Sequence, residues 1–260
     1  MIKRLVLLLG VFIGISSCAS REKLQYYRGI EQINSQKTTN YEPVLKQDDL
    51  LLIVVLAPTR ELEADFNLGL YSIMSDGTNL GRAEIAVEQL RYQAYLIDNE
   101  GFIEFPVLGK IQLGGLTRTA AINLLKTKLR EYIKEPMVNL RILNYKVTVQ
   151  GEVIRPGTFN ILTERVTLPE ALAMAGDLSI YAKRENILVI REIDGKKESH
   201  FVDITKADFI NSPFYYLSQN DLVYVEPNKI RMNNAAVGPN IAIVLTSVSL
   251  LITIVALLIR

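Results

Sequence analysis

Few side chains in this chain of 260 residues could carry out acid–base or metal chemistry. A hydrolytic triad needs a base, and the only histidine, His200, lies in the middle of the strand-forming stretch ESHFVDI. An exposed strand position is its expected role. The only cysteine is Cys18, so the chain has no internal disulfide and almost nothing with which to bind zinc. We therefore expect no metal, no cofactor and no histidine-based catalysis.

Carboxylates are the remaining route to catalysis. Asp48 and Asp49 could serve as the acid and base of glycoside chemistry, but they precede an apolar strand, where acidic turn residues are common. No G-x-S-x-G elbow occurs, and Gly109-Lys110 lacks the rest of a phosphate-binding loop. Transport or scaffolding is the favoured class, and a carbohydrate-modifying enzyme built on acidic residues stays an alternative.

The charge balance excludes one large class of partners. The chain has 29 basic and 28 acidic residues, for a formal net charge of +1, and so lacks the basic surface that nucleic acid requires. Its hydrophobic content of 49% is ordinary once two apolar termini are set aside, which predicts a folded, soluble body between them.

The N-terminus has the features of a lipoprotein signal. Lys3 and Arg4 precede an apolar stretch from Leu5 to Ile15, which is too short to span a membrane, and the small residues of ISSC follow. This arrangement resembles the bacterial lipobox, which predicts a signal peptide over 1–17, acylation of Cys18 and a polar tether over 18–40. The alternative is an uncleaved signal anchor with a chance cysteine.

The C-terminus predicts a second membrane attachment. Residues 241–259 carry no charge, and as a helix they would reach roughly 28 Å, close to the thickness of the hydrocarbon core. A stripe of small and hydroxyl side chains could form a helix-packing seam or a pore wall. Alternatively, the hydroxyl groups are simply tolerated by bonding to the preceding turn. The stripe consists of Ala242, Thr246, Ser249, Thr253 and Ala256.

Between the termini the patterns predict an α+β body. An apolar strand lies in DDLLLIVVLAP, and the stretch from Thr59 to Tyr92 is read as a loop with one short helix. A hairpin in AYLIDNEGFIEFPVLGKIQL precedes a helix that opens at Thr117 and stops before Pro136. Two more hairpins and a last strand, YLSQNDLVYVEP, complete the body.

The hairpin and helix unit occurs a second time. MVNLRIL and KVTVQGEVIRPGTFNI precede a helix in TLPEALAMAG, where Thr167 and Glu170 form a capping box and Gly176 supplies the C-cap. At an offset of fifty, Gly101 falls on Gly151 and Thr117 on Thr167. We read this as a shared design.

These motifs together resemble the polysaccharide export (Wza-like) outer-membrane lipoproteins. YLIDNEGFIEFPVLGKIQLGGLT is similar to their polysaccharide-export domain, expected here over 41–143, and YKVTVQGEVIRPGTFNI with TLPEALAMAGDL to their soluble-ligand-binding β-grasp (SLBB) domain, expected over 144–228. A linker over 229–240 and a transmembrane helix over 241–259 would follow. The resemblance implies a non-enzymatic ring of identical subunits that exports capsular or extracellular polysaccharide across the outer membrane. It also implies an inner-membrane co-polymerase or chain-length regulator as partner.

The chain departs from the family pattern in three places. Gln47-Asp48-Asp49 and Gln219-Asn220-Asp221 stand where a Pro-Gly-Asp turn is usual, and Asp or Asn could adopt the left-handed conformation that glycine would supply. A single β-grasp unit implies a short periplasmic tube. The terminal helix lacks the amphipathic character of the best-known relatives. It could instead anchor the protein in the inner membrane as a periplasmic scaffold that forms no pore.

Overall fold

Two hydrophobic cores organise the protein. The computed structural model describes residues 24–32, 41–67, 69–70, 91–193, 195–237 and 241–258. Its buried apolar side chains form one cluster within residues 45–140 and another within residues 145–225. Each cluster is covered by its own strands and helices, and the body is α+β as the sequence predicts.

The first core lies against a three-stranded antiparallel sheet in the order β4-β1-β7. Alternate side chains of β1, among them Leu51, Ile53 and Val55, are buried against helix α2 and the β5–β6 hairpin, because successive residues of a strand face opposite sides. The elements of this domain are β1 (Leu50–Leu56), α1 (Arg60–Phe66), β2 (Gly69–Leu70), β3 (Arg91–Tyr92), β4 (Tyr95–Leu96), β5 (Phe102–Phe105), β6 (Gly109–Gln112), α2 (Arg118–Leu129) and β7 (Met137–Ile142).

Helix α2 begins where the sequence predicts. The hydroxyl of Thr117 accepts the backbone N–H of Ala120 at 3.3 Å, which satisfies one of the free donors of the first turn. The helix ends at Leu129, so Tyr132 lies beyond it and is half exposed, while Ile133 fills the core. The stretch from Thr59 to Tyr92 contains α1, β2 and β3, and the rest of that stretch lies outside the described residues.

The second core is covered by a five-stranded sheet in the order β12-β11-β14-β8-β9. Strands β14 and β8 pair in parallel, and the other neighbours are antiparallel. A Cβ atom at Gly151 would collide with the carbonyl oxygen of Val225, so only glycine fits at this crossing. The elements are β8 (Lys146–Gly151), β9 (Gly157–Asn160), β10 (Val166–Thr167), α3 (Leu168–Met174), β11 (Ala182–Ile193), β12 (Lys196–Val202), β13 (Tyr216–Leu217) and β14 (Leu222–Pro227).

The capping box of helix α3 is confirmed. Thr167 accepts the N–H of Glu170 at 3.3 Å, and the Glu170 carboxylate accepts the N–H of Thr167 at 2.7 Å. The C-cap is Ala175 and not Gly176, which follows it in the left-handed conformation with a φ of +76°. The repeated unit holds for the helices, which start at Arg118 and Leu168, but the paired strands differ. Strand β5 pairs with β6 in a separate hairpin, whereas β8 and β9 belong to the five-stranded sheet.

The segments flanking the body are more ordered than the sequence predicts. Within the expected tether, residues 24–32 pack on the second domain and end in a short 3-10 helix, Ile30–Gln32. Within the expected linker lies helix α4 (Lys229–Val237), which follows Asn228, whose side chain accepts the N–H of Arg231 at 3.0 Å. Both segments contain side chains that find partners on the folded body, which a composition argument does not detect.

The C-terminal segment forms helix α5 (Ile241–Leu258). The side chains described in it are those of residues 243–255 and Leu257, and all of them are exposed. Among the residues that the structure describes, no helix is both long enough and apolar enough to cross a membrane.

Candidate functional site

The two domains meet at Asn144, which bonds to both of them. Its side-chain oxygen accepts the N–H of Leu50 at 2.9 Å, and its side-chain nitrogen donates to the carbonyl of Asp48 at 2.8 Å. Its own backbone carbonyl accepts from the side chain of Gln219 at 2.8 Å, and the oxygen of that side chain accepts the N–H of Lys146 at 2.7 Å. Asn144 therefore makes three hydrogen bonds that connect the two domains, and Gln219 links it to the first residue of the next strand.

Two equivalent turns face this junction. Asp48 and Asn220 both have a φ of +64°, as expected for residues that replace the glycine of the turn. The carboxylate of Asp49 accepts the N–H of Lys46 at 2.8 Å, and that of Asp221 accepts the N–H of Ser218 at 2.7 Å. The prediction that both turns survive without glycine is confirmed.

The two buried carboxylates, Asp49 and Asp221, differ in whether a positively charged side chain pairs with them. Asp221 is fully buried and receives three hydrogen bonds from the Arg191 guanidinium at 2.7–3.1 Å. Arg191 also donates to the carbonyl of Tyr216 at 2.8 Å and lies 4.9 Å from the ring centroid of Phe214. The charges of Asp221 and Arg191 are therefore paired with each other, and the pair holds parts of the second domain together.

Asp49 lacks such a partner. It is 1% exposed, and its Oδ1 atom has no hydrogen-bond partner within the described residues. Burial is the main cause that raises the pKa of Asp49 to about 6, and the hydrogen bond from the Lys46 backbone opposes that rise. Asp49 therefore loses its proton only as the pH rises through about 6.

The turns line a cleft of about 610 Å³ between the domains. The ring of Tyr41 stacks on Tyr216 at 4.7 Å, and the Tyr41 hydroxyl lies 3.2 Å from the carbonyl of Leu217. The Lys46 ammonium donates to the carbonyl of Glu192 at 3.0 Å across the opening. Aromatic, amide and charged groups of this kind can bind a polar ligand by stacking and hydrogen bonding. No nucleophile with an adjacent base lies among the residues that line the cleft.

The residues considered for catalysis are not brought together. His200 stacks on Phe214 at 4.2 Å and lies 3.4 Å from the Glu198 carboxylate, and neither neighbour lines the cleft. Asp48 is exposed at the turn, and Asp49 is held by the Lys46 backbone. Among the described residues no group of three His, Cys, Asp or Glu side chains is placed to hold a metal ion.

The residues predicted for membrane attachment lie apart from the cleft. Cys18 and the signal peptide are outside the described residues, as are the side chains of Ala242 and Ala256. On α5, the hydroxyls of Thr246, Ser249 and Thr253 donate to backbone carbonyls of the preceding turn at 2.8–2.9 Å. This is the bonding that the simpler interpretation of the stripe expects.

Sequence reasoning missed Asn144 and Gln219 as junction residues. The repeated pattern Gln-Asp/Asn-Asp was a usable signal for Gln219, since both turns carry it. A lone Asn144 between two strands gives no such signal, because its partners lie more than seventy residues away in sequence on either side.

Each of the two domains matches a known protein family. Residues 37–143 match the family described as polysaccharide biosynthesis/export protein, and residues 146–200 match the SLBB domain. The junction residue Asn144 lies between the two matches. The first domain and its successor thus have the order that the sequence motifs suggest.

Two curated relatives are similar to part of the chain. The EPS I polysaccharide export outer membrane protein EpsA of Ralstonia solanacearum is 29% identical over 153 residues, which is 56% of this chain and 40% of that protein. The protein of the same name from Ralstonia nicotianae is 34% identical over 88 residues, which is 33% of this chain and 23% of that protein. The matches therefore span less than half the length of these relatives.

Proposed function

We propose that this chain exports capsular or extracellular polysaccharide across the outer membrane, because residues 37–143 match the polysaccharide biosynthesis/export protein family and a match to the SLBB domain directly follows them. In this proposal it acts as one subunit of an oligomeric ring or channel. The observation that carries the proposal is the succession of the two matched domains. The Asn144 junction supports the proposal, since its hydrogen bonds to both domains would favour the same angle between them in every copy.

The family is one of export proteins and not of enzymes. The growing polymer is the proposed cargo, and an inner-membrane co-polymerase or chain-length regulator is the proposed partner on the periplasmic side. The chain would contribute a path and a docking surface, while another protein makes the sugar bonds.

Two attachments would hold each subunit to the membrane. We infer acylation of Cys18 from the lipobox, with the folded body in the periplasm. We infer a second anchor from residues 241–259, which carry no charged side chain. The exposure of Ile243 (64%), Leu250 (63%) and Leu257 (70%) supports contact with lipid or with neighbouring helices, since such side chains are rarely left in water together.

In a ring, the stripe on α5 would provide the surface on which neighbouring helices pack or a pore forms. Its hydroxyls already bond within their own helix and leave a small side-chain surface that lets helices approach closely. The proposed stripe remains Ala242, Thr246, Ser249, Thr253 and Ala256.

Complementation tests the proposal. Cells that lack this protein should regain secreted polysaccharide when they receive the full chain, and should fail to do so with a variant that stops at residue 240. Secretion that is unchanged by loss of the last helix would contradict the channel.

Fractionation of the same cells locates the protein. We expect it with outer-membrane markers, and we expect Cys18→Ser to lose acylation and that location. Co-migration with inner-membrane markers would instead favour a periplasmic scaffold that forms no pore.

A further inference from the structure

The segment that follows the expected lipid attachment site is bound to the SLBB domain. The N–H of Tyr27 donates to the carbonyl of Ile204 at 3.2 Å, and the N–H of Arg28 donates to the carbonyl of Thr205 at 2.7 Å. The carbonyl of Arg28 accepts the N–H of Ala207 at 3.0 Å, and Arg28 forms a parallel bridge with Lys206. The segment is thus attached to the domain by three backbone hydrogen bonds around an isolated bridge at Arg28.

Side chains of the same segment fix its position. The hydroxyl of Tyr26 donates to the Asp177 carboxylate at 3.0 Å, and the Arg184 guanidinium lies 5.5 Å from the centroid of the Tyr26 ring. The ring of Tyr27 stacks on Phe209 at 5.7 Å. Burial, followed by the Asp177 hydrogen bond, raises the pKa of Tyr26 to about 12.

The loop that receives Tyr26 also holds the start of the C-terminal helices. This loop consists of residues 177–181. The carbonyl of its last residue, Tyr181, accepts the N–H of Asn228 at 2.7 Å. The Arg231 guanidinium lies 5.7 Å from the Tyr181 ring centroid. Because Asn228 is the residue before α4, this loop contacts both flanking segments of the chain.

A carboxylate ties the middle of the loop to α4. The Ser179 hydroxyl donates to one oxygen of Glu152 at 2.7 Å, and Arg231 lies 3.6 Å from the other. Arg184, which covers Tyr26, donates to the carbonyl of Ser179 at 3.1 Å. A continuous set of contacts therefore connects Tyr26 at one end of the loop to Arg231 at the other.

Exposed apolar side chains surround this loop. Ile180 is 61% exposed, Ile154 is 62% exposed, and Ile230 at the start of α4 is 58% exposed. Basic residues, Arg155 and Lys229, adjoin Ile154 and Ile230 in the chain. Apolar side chains beside basic ones fit the interface of an anionic lipid bilayer, where the apolar groups enter and the cations meet headgroups.

The short stretch of chain between Cys18 and Leu24 limits how far this face can lie from the bilayer. Five residues lie between Cys18 and Leu24, so the two positions are at most about 20 Å apart when the chain is fully extended. An acyl chain on Cys18 would therefore bring the bilayer to the side of the SLBB domain from which α4 also departs.

We propose that residues 24–32 form a latch, which docks the lipid-bearing segment on loop 177–181 and turns that loop, with Ile154, Ile180 and Ile230, toward the bilayer surface. The proposal rests on the proposed function for the acylation of Cys18 and for the membrane attachment of residues 241–259. It adds that both attachments are held by one face of the SLBB domain, the face on which Ile154, Ile180 and Ile230 are exposed.

A disulfide test addresses the latch in the full-length, membrane-bound protein. Paired positions on neighbouring strands lie about 4.8 Å apart, within the range that a disulfide bridges, so Arg28→Cys with Lys206→Cys should cross-link within one chain under mild oxidation. The two single substitutions are matched controls that reveal any bond made with Cys18. A disulfide formed mainly between chains, or no disulfide, would overturn the latch.

A quenching test addresses the bilayer. Ile180→Cys and Val107→Cys each receive a fluorescent label in full-length protein reconstituted in vesicles of zwitterionic and anionic phospholipid, since Val107 is equally exposed (55%) but lies on the export domain. Spin-labelled lipid should quench the Ile180 probe at least threefold more than the Val107 probe. Equal quenching, or stronger quenching at Val107, would overturn the orientation.

Polysaccharide secretion by the same variants separates the two proposals. Intact secretion without the intramolecular disulfide overturns the latch and leaves export standing. A wild-type chain that forms the latch but restores no secretion contradicts export and leaves the latch standing.

Discussion

Replacing Asp49 by asparagine is expected to remove a large pH dependence from the stability of the export domain. Asp49 is 1% exposed, and burial raises its pKa from 3.8 to about 6. The unfolded chain lacks that burial, so between these two values the folded state binds a proton that the unfolded state does not. Asp49 therefore contributes stability that is fully present below about pH 4 and is lost as the pH rises through about 6.

The size of the effect follows from the shift. One pKa unit corresponds to about 1.4 kcal/mol, so a rise from 3.8 to about 6 changes the unfolding free energy by about 3 kcal/mol between pH 4 and pH 7. An asparagine can still accept the Lys46 N–H, and its buried amide nitrogen would cost about 1–3 kcal/mol at every pH. The change of stability with pH is thus separable from the constant cost of the substitution.

Urea unfolding of the full chain in detergent at several pH values measures this dependence. The chain has no tryptophan, so circular dichroism is the suitable signal. The stability of the wild type relative to Asp49→Asn should fall by about 3 kcal/mol from pH 4 to pH 7. Asp48→Asn is the matched control, because that neighbour is exposed and asparagine accepts its left-handed backbone. A constant difference between wild type and Asp49→Asn across this range would refute the reasoning.

Three further substitutions test the junction and the second core. Asp221→Ala leaves the Arg191 charge buried without its carboxylate and should lower the unfolding free energy by about 3–5 kcal/mol, much of it regained when Arg191→Met is added. Asn144→Ala should cost about 1 kcal/mol for each lost hydrogen bond and widen the range of interdomain angles, and an unchanged small-angle scattering profile would contradict that role. Gly151→Ala should cost about 3 kcal/mol or more in urea unfolding, because of its φ of +92° and the Val225 carbonyl.

Local signals in the sequence predicted the local parts of the fold. Thr117 and Thr167 were identified as helix caps because a cap and its partner lie three residues apart. The left-handed turns at Asp48 and Asn220 were predicted for the same reason, since the conformational preference belongs to the residue itself. The export and SLBB motifs pointed to the family in a similar way, because each motif is a continuous stretch of sequence that covers whole strands and turns.

Contacts between distant parts of the chain could not be predicted in this way. The polar composition of residues 18–40 suggested a free tether, but Tyr26 binds Asp177, 151 positions away. The linker expected over 229–240 contains helix α4, which the Asn228 N–H and the Arg231 guanidinium connect to Tyr181 of the SLBB domain. Composition describes the average behaviour of a segment, whereas docking depends on a few side chains and on the surface they meet.

The central claim is that copies of this chain assemble around a common axis with their C-terminal helices together. Electron microscopy of full-length particles extracted from native membranes in mild detergent tests it directly. We expect closed rings in which the export and SLBB domains form stacked layers and the terminal helices gather beside the SLBB layer. Particles that remain single subunits at every protein concentration, while the same cells secrete polysaccharide normally, would contradict it.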